Sequence, residues 1–289
     1  MAGYVTANAR REDEKDTPLL PVVCADMDHF PSQWGKPRNE NIDNYNTVPL
    51  HRTLPDPMAQ AAHGPTTRTQ QPIVTGTSII AFKYRDGIMM AADMLGSYGA
   101  LARFRDIDRL YPVGEHTVVG ASGDLSDYQY IQHLLDSLMI KEHCSDDGHV
   151  VGAPHIHEYL WRVMYNRRSK FNPLWNSLVV GGVHKGEKFL GYVDLRGTTY
   201  QTTTIATGFG SHLAQPILRK RVEGNEDNIT EQEAIEIIND CMRVLFYRDA
   251  RSMNKFKRAK ITEAGVEVSE PYSVDTEWGF AESIRGYGA

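Results

Sequence analysis

The spacing of apolar residues changes several times along this chain, and each change marks an element or a boundary. Residues 77–84 and 88–93 are short, nearly continuous apolar runs with β-branched and Met side chains, and Asp86-Gly87 between them predicts a hairpin turn. Residues 117–121 form a third such run, ending near Gly123. Beyond it, Tyr128, Ile131, Leu134, Leu135, Leu138 and Met139 recur at helical spacing, and a second helix is predicted over 157–168. Strand-like runs return at 177–183 and 189–193, split by the turn-forming pair Lys185-Gly186, with one more at 199–206. A helix follows over 211–221. The next helix starts behind Thr230, whose hydroxyl can cap it while Glu233 completes a capping box; its buried stripe is Ala234, Ile237, Ile238, Cys241, Val244 and Leu245. Residues 256–262 and 266–268 read as closing strands.

The order is therefore strands, two helices, strands, two helices, strands. It suits an α+β fold in which two antiparallel sheets pack face to face and a helix pair covers each outer face, a four-layer αββα sandwich. Sheets covered on both sides need no polar face, which accounts for a run such as Leu178-Val179-Val180-Gly181-Gly182 that lacks clean alternation.

The flanks differ from this centre. Eight of the 14 prolines fall before residue 69, in a stretch with scattered charge and no sustained period, so residues 1–68 are predicted to be a flexible leader or propeptide preceding a domain over 69–269. From residue 270 the chain turns polar and aromatic. Trp278, Phe280, Ile284 and Tyr287 bring more apolar surface than a solvated tail carries, and 270–289 reads as a C-terminal interface arm.

With 41% hydrophobic and 24% charged residues the chain can bury a full core, which excludes a wholly disordered protein. A net charge of −6 gives no electrostatic footprint for nucleic acid or an anionic membrane, so Arg167, Arg168 and Lys170 read as solvated or interface charge. No apolar run reaches the roughly 18 residues a spanning helix needs. Cys24, Cys144 and Cys241 lack the spacing of a zinc site or disulfide framework, which points to a reducing compartment, cytoplasmic or nuclear. Asn228-Ile229-Thr230 matches a glycosylation sequon, but no secretory signal accompanies it.

Other signals carry little. His155-Ile156-His157-Glu158 fails as a metalloprotease helix because Trp161 stands where the second histidine belongs, and a His-x-His at a helix start reads as surface chemistry. Gly208-Phe209-Gly210 lacks the third glycine of a dinucleotide loop, with Leu213 in its place. Cys241 reads as core packing. No cofactor and no metal are expected.

A set of ordered motifs is more specific. Gly76-Thr77-Ser78 followed by Ala81-Phe82-Lys83-Tyr84, Gly87 and Ala91-Ala92-Asp93, then Gly120-Ala121-Ser122-Gly123 with Asp127, Thr207-Gly208-Phe209-Gly210, and Tyr247-Arg248-Asp249-Ala250 with Ser252, together resemble a proteasome β subunit. The runs at 69–78, 95–99, 165–170, 172–176 and 247–252 are similar to the member at the seventh β position of the eukaryotic 20S core particle. This resemblance implies the N-terminal-nucleophile hydrolase type of αββα sandwich. It also implies a place in a seven-membered β ring, stacked on a second β ring and flanked by α rings, with α and β subunits as partners. The arm would reach β subunits of the opposite ring.

In catalytic relatives a threonine freed at a Gly-Thr bond attacks the peptide carbonyl, and its own amino group or a nearby lysine manages the proton. The resemblance places that threonine at Thr77 and that lysine at Arg109, sixteen residues after Asp93. A guanidinium does not release its proton near neutrality, so Arg109 is expected to pair with Asp93 and not to shuttle protons. The serine between two glycines becomes Phe209, an apolar ring with no donor that would fill the space with bulk. Asp249 and Ser252 remain, to support the site through local hydrogen bonds, while Met253 replaces an expected glycine. Similar relatives are trimmed between positions matching Arg68 and Thr69, which would leave Thr77 an ordinary strand residue whose nitrogen is a peptide amide. The expected role is a non-catalytic β subunit. An active threonine peptidase at Thr77 and an assembly chaperone acting through its leader are the competing readings.

Overall fold

A computed structural model describes residues 70–281. The expected leader over 1–68 lies outside the described residues, as do the expected processing point between Arg68 and Thr69 and the arm residues Ile284 and Tyr287.

In chain order the strands and helices are β1 (Val74–Gly76), β2 (Ile79–Tyr84), β3 (Gly87–Asp93), β4 (Gly96–Tyr98), β5 (Leu101–Phe104), β6 (Leu110–Val113), β7 (Thr117–Asp124), α1 (Leu125–Ser145), α2 (Ala153–Ser169), β8 (Asn176–His184), β9 (Glu187–Val193), β10 (Thr199–Gln201), β11 (Thr204–Ala206), α3 (Gly210–Arg221), α4 (Glu231–Arg248), β12 (Phe256–Thr262) and β13 (Gly265–Val268). Among the described residues they form two antiparallel sheets. The first runs β10-β9-β8-β7-β1-β4-β5, with β6 beside β7; the second runs β11-β2-β3-β12-β13.

Side-chain alternation explains why these strands look continuously apolar. In β2, Ile80, Phe82 and Tyr84 face a core shared with α3 and α4, while Ile79 and Ala81 face the layer between the sheets. In β3, Met89 and Ala91 take the helix side, and Ile88, Met90 and Ala92 the inter-sheet side. The first sheet uses Val119, Ala121, Leu178, Val180 and Val193 against α1 and α2. Each fully buried Leu, Ile, Val or Met contributes about 1.5–3 kcal/mol of transfer free energy, so three such layers hold the sandwich together. The predicted αββα architecture is the one observed, and Thr230 caps α4 by accepting from Glu233 N while the Glu233 carboxylate accepts from Thr230 N, as the sequence indicates.

Several details differ from expectation. The β2–β3 turn is Arg85-Asp86, and Gly87 belongs to β3, opposite Tyr84. Gly87 is required there by close approach: a Cβ would lie 2.0 Å from the Ile261 carbonyl oxygen on β12. The strand expected over 199–206 is two, and the chain changes sheet between them, β10 pairing with β9 and β11 with β2. On α4, Met242 is buried and Val244 only partly so. Residues 270–275 are not yet an arm. Tyr272 exchanges backbone hydrogen bonds with Phe256 (2.8 and 2.9 Å), and Val274 is buried, its N–H donating to Asn254 Oδ1 at 2.9 Å. His157 is likewise not at the surface. It is buried, with Nε2 2.7 Å from Thr199 Oγ1 and 3.2 Å from Tyr192 O, and burial lowers its pKa.

Candidate functional site

Thr77 and Ser78 form the break where the chain leaves the first sheet at β1 and enters the second at β2, so Thr77 is not within a strand. β1 is held on both sides. Val74 and Thr75 pair with Tyr98 and Ser97 of β4, and Thr75 and Gly76 pair with Asp124 and Gly123 of β7. Just upstream, Ile73 N–H donates to Asp124 Oδ2 at 2.8 Å. The other oxygen of the same carboxylate accepts from Ser126 N (2.8 Å) and Asp127 N (3.1 Å) and caps α1. Asp124 was not among the residues singled out from sequence, although an Asp directly before a helical apolar pattern is an N-cap signal.

Beneath the break lies Arg109, essentially buried. Its Nε donates to Asp93 O at 3.0 Å, Nη1 to Thr77 O at 2.7 Å and to Ala121 O at 3.4 Å, and Nη2 to Ser78 O at 2.9 Å and to the Asp93 carboxylate. The expected Arg109–Asp93 pair is present. Burial pushes the Asp93 carboxyl up, opposed by the Arg109 cation and by Met253 N–H, which donates to Asp93 Oδ2 at 3.3 Å. Gly76 leaves room for the guanidinium stem, since a Cβ there would sit 2.5 Å from Arg109 Cδ.

The Thr77 hydroxyl donates to the Asp249 carboxylate at the C-terminal cap of α4. Asp249 Oδ1 accepts from Arg251 N at 2.9 Å. Ser252 is on the same turn, and its hydroxyl is used locally: it donates to Asp249 O at 2.8 Å and is 3.4 Å from Leu245 O. Phe209 does not fill the site. It lines one side of a cavity of about 420 Å³, which Thr77, Ser122, Trp175, Asn176 and Asp249 also line, and its ring remains 48% exposed. Ser78 and Thr207, which sequence reasoning did not assign, tie the start of β2 to the 207–210 segment: Ser78 Oγ accepts from Gly210 N at 2.8 Å, and Thr207 Oγ1 from Ile79 N at 2.9 Å.

The fold thus gathers Thr77, Asp93, Arg109 and Asp249, with Ser252 and Phe209 at the margin. Trp278 and Phe280 lie apart from these chemical groups, on the last turn of α4. Their rings are each 5.0 Å edge-on from Tyr247, Arg248 lies over Phe280 at 5.4 Å, and Glu277 N–H donates to Tyr247 OH at 2.7 Å. Among the described residues no group of three His, Cys, Asp or Glu could hold a metal ion, and no helix is long and apolar enough to cross a membrane.

Comparison with known proteins decides the family. The proteasome subunit family matches residues 73–261. This chain belongs to the proteasome family. It is similar to proteasome subunit beta type-4 of Xenopus laevis, 52% identical over 224 residues that cover 78% of this chain and 92% of that one. Proteasome subunit beta type-4 of Arabidopsis thaliana is 51% identical over 214 residues, 74% and 86% of the two chains. Proteasome subunit beta type-7 of Saccharomyces cerevisiae, the yeast nomenclature, is 46% identical over 271 residues, 91% and 98% of the two chains. The αββα sandwich of this proteasome subunit is the N-terminal-nucleophile hydrolase type.

Proposed function

We propose that this chain is a non-catalytic structural subunit of the 20S core particle β ring. It would assemble with the other α and β subunits in the cytoplasm and nucleus, and support ring assembly and half-particle joining for ATP- and ubiquitin-dependent degradation. The observation that carries this reading is strand β1. The residues before Thr77 are woven between β7 and β4, so the threonine nitrogen is a mid-chain amide with no basicity, and the strand edges beside the hydroxyl are taken by the chain itself. Arg109 adds to this. Its donors are directed at backbone carbonyls and at Asp93, and a guanidinium cannot accept the hydroxyl proton. The Trp278 and Phe280 contacts give the arm a firm root from which to reach the opposite ring.

The alternative, an active threonine peptidase, is favoured by one observation: the Thr77 hydroxyl already donates to a carboxylate beside an open cavity. N-terminal sequencing of the subunit from assembled particles, with mass spectrometry after treatment with a threonine-directed covalent inhibitor, separates the two. The structural reading expects a mature chain that begins upstream of Thr77, near Thr69, and no adduct. A chain beginning at Thr77 and captured there establishes the peptidase.

A further inference from the structure

Phe171 is the side chain that the fold explains least. It stands one residue past the cap of α2, where Phe171 N–H donates to Arg168 O (3.1 Å) and Asn172 N–H to Arg167 O (3.1 Å), the bond pair of a Schellman ending. At that position Phe171 adopts φ +54°, left-handed backbone that glycine takes without strain and that crowds the Cβ of any other L residue. Among the described residues the side chain recovers almost nothing by packing, being 97% exposed. Strain and an exposed aromatic both oppose the stability of the isolated subunit.

The surroundings indicate what would compensate. Tyr165 and Trp175, also exposed, flank Phe171 in sequence, and the Arg168 guanidinium lies over the Tyr165 ring at 5.7 Å. From Tyr159 through Trp175 the sequence has no acidic residue but contains Arg162, Arg167, Arg168 and Lys170, in a chain whose net charge is −6. Of the carboxylates nearby, Asp127 accepts from Trp175 N (2.8 Å) and Glu158 pairs with Arg162 (2.9 Å). Aromatic and arginine side chains are the residues that dominate protein interfaces, and a local cationic rim selects an anionic counterpart.

We propose that Phe171 is an interface anchor, inserting into an apolar socket rimmed by carboxylates on another subunit of the core particle. This rests on the reading of the chain as a core-particle subunit and adds a surface and a partner chemistry to it.

The test supplies cells with tagged wild-type and Phe171→Gly full-length chains in equal amounts and reads their ratio in purified core particles by mass spectrometry. Loss of an aromatic anchor predicts depletion of the variant by at least tenfold relative to its share of the unassembled pool. The purified full-length variant should melt at the same temperature as wild type or a few degrees higher, because glycine relieves the left-handed strain. Arg168→Glu should deplete in the same direction and Arg168→Lys should incorporate nearly as wild type. Equal incorporation of Phe171→Gly overturns the anchor, and the structural reading survives it if the wild-type chain in the same particles carries no Thr77 adduct. Depletion together with a lowered melting temperature means that Phe171 packs on its own chain, the leader included. Self-association of the wild-type chain that Phe171→Gly abolishes, with incorporation unchanged, makes the partner a second copy. Either result overturns the proposal.

Discussion

Replacing Arg109 with Met tests whether the buried cation is a structural fastener. Methionine keeps the apolar stem and much of the volume, so the change removes charge and donors without opening a large void. Arg109 makes five hydrogen bonds, to the carbonyls of Thr77, Ser78, Asp93 and Ala121 and to the Asp93 carboxylate. Deleting one partner of a buried ion pair costs about 3–5 kcal/mol, against a total domain stability of about 5–15 kcal/mol. At about 2–4 °C per kcal/mol for a chain of this size, the melting temperature should fall by on the order of 10 °C. The loss should also depend on pH. Burial already raises the Asp93 carboxyl above its unfolded value, and removing Arg109 takes away the main opposing influence, raising it further. A carboxyl whose folded pKa exceeds its unfolded one of about 3.9 destabilises the fold increasingly as pH rises between the two values. The deficit of Arg109→Met relative to wild type should therefore be larger at pH 7 than at pH 5, and Asp93→Asn in the same chain should recover part of it. Urea unfolding of the full-length proteins at both pH values measures this. A deficit below about 1 kcal/mol at pH 7, or one that does not change with pH, refutes the reasoning.

Three further outcomes follow from the geometry. Gly87→Ala should destabilise by about 1–3 kcal/mol in urea unfolding, because its Cβ meets the Ile261 carbonyl and the strands must separate to admit it. Thr230→Ala should cost about 1 kcal/mol in the same assay by removing the hydroxyl that accepts from Glu233 N; an unchanged midpoint would mean that Glu233 or water replaces it. Burial raises the Cys241 thiol to about 12 while Cys144 is exposed, so iodoacetamide at pH 8 should modify Cys144 in the native protein and Cys241 only after unfolding; peptide mapping with comparable rates at both would contradict the packing.

Sequence pattern was informative wherever an element carries its own periodicity. α1, α4, β2, β3, β8 and β12 are long enough for their apolar spacing to specify both type and approximate extent, and Thr230 with Glu233 marks a helix start in four residues. The strands it did not reveal, β1, β4, β5 and β6, are three or four residues long, and β5 is exposed throughout. They are strands because a neighbour supplies the hydrogen bonds, which no local pattern records. The sheet change near 202–203 is invisible for the same reason: Thr199, Tyr200 and Gln201 differ from Thr204, Ile205 and Ala206 in partner more than in composition. His157 was misplaced because its burial depends on Thr199 and Tyr192, distant in sequence. The Arg109–Asp93 pair was legible through its motif spacing, but the four carbonyls that complete the guanidinium's shell were not, since backbone acceptors have no sequence signature.

On the proposed non-catalytic role, those carbonyls explain how a site of this shape can be retained without chemistry. Asp93 ends β3 in the second sheet, Ala121 lies in β7 of the first, and Thr77-Ser78 is the crossing between them, so one side chain ties both sheets to the chain that passes from one to the other. A proton-shuttling residue must exchange its hydrogen bonds as its charge changes. A residue that fastens three backbone segments must hold its bonds unchanged. Arginine, with five donors in a rigid fork and no accessible neutral form, suits the second requirement and fails the first. Where the resemblance to catalytic relatives implies lysine, the substitution therefore exchanges a titratable group for a fixed cross-link, and Gly76 is the residue that makes room for it.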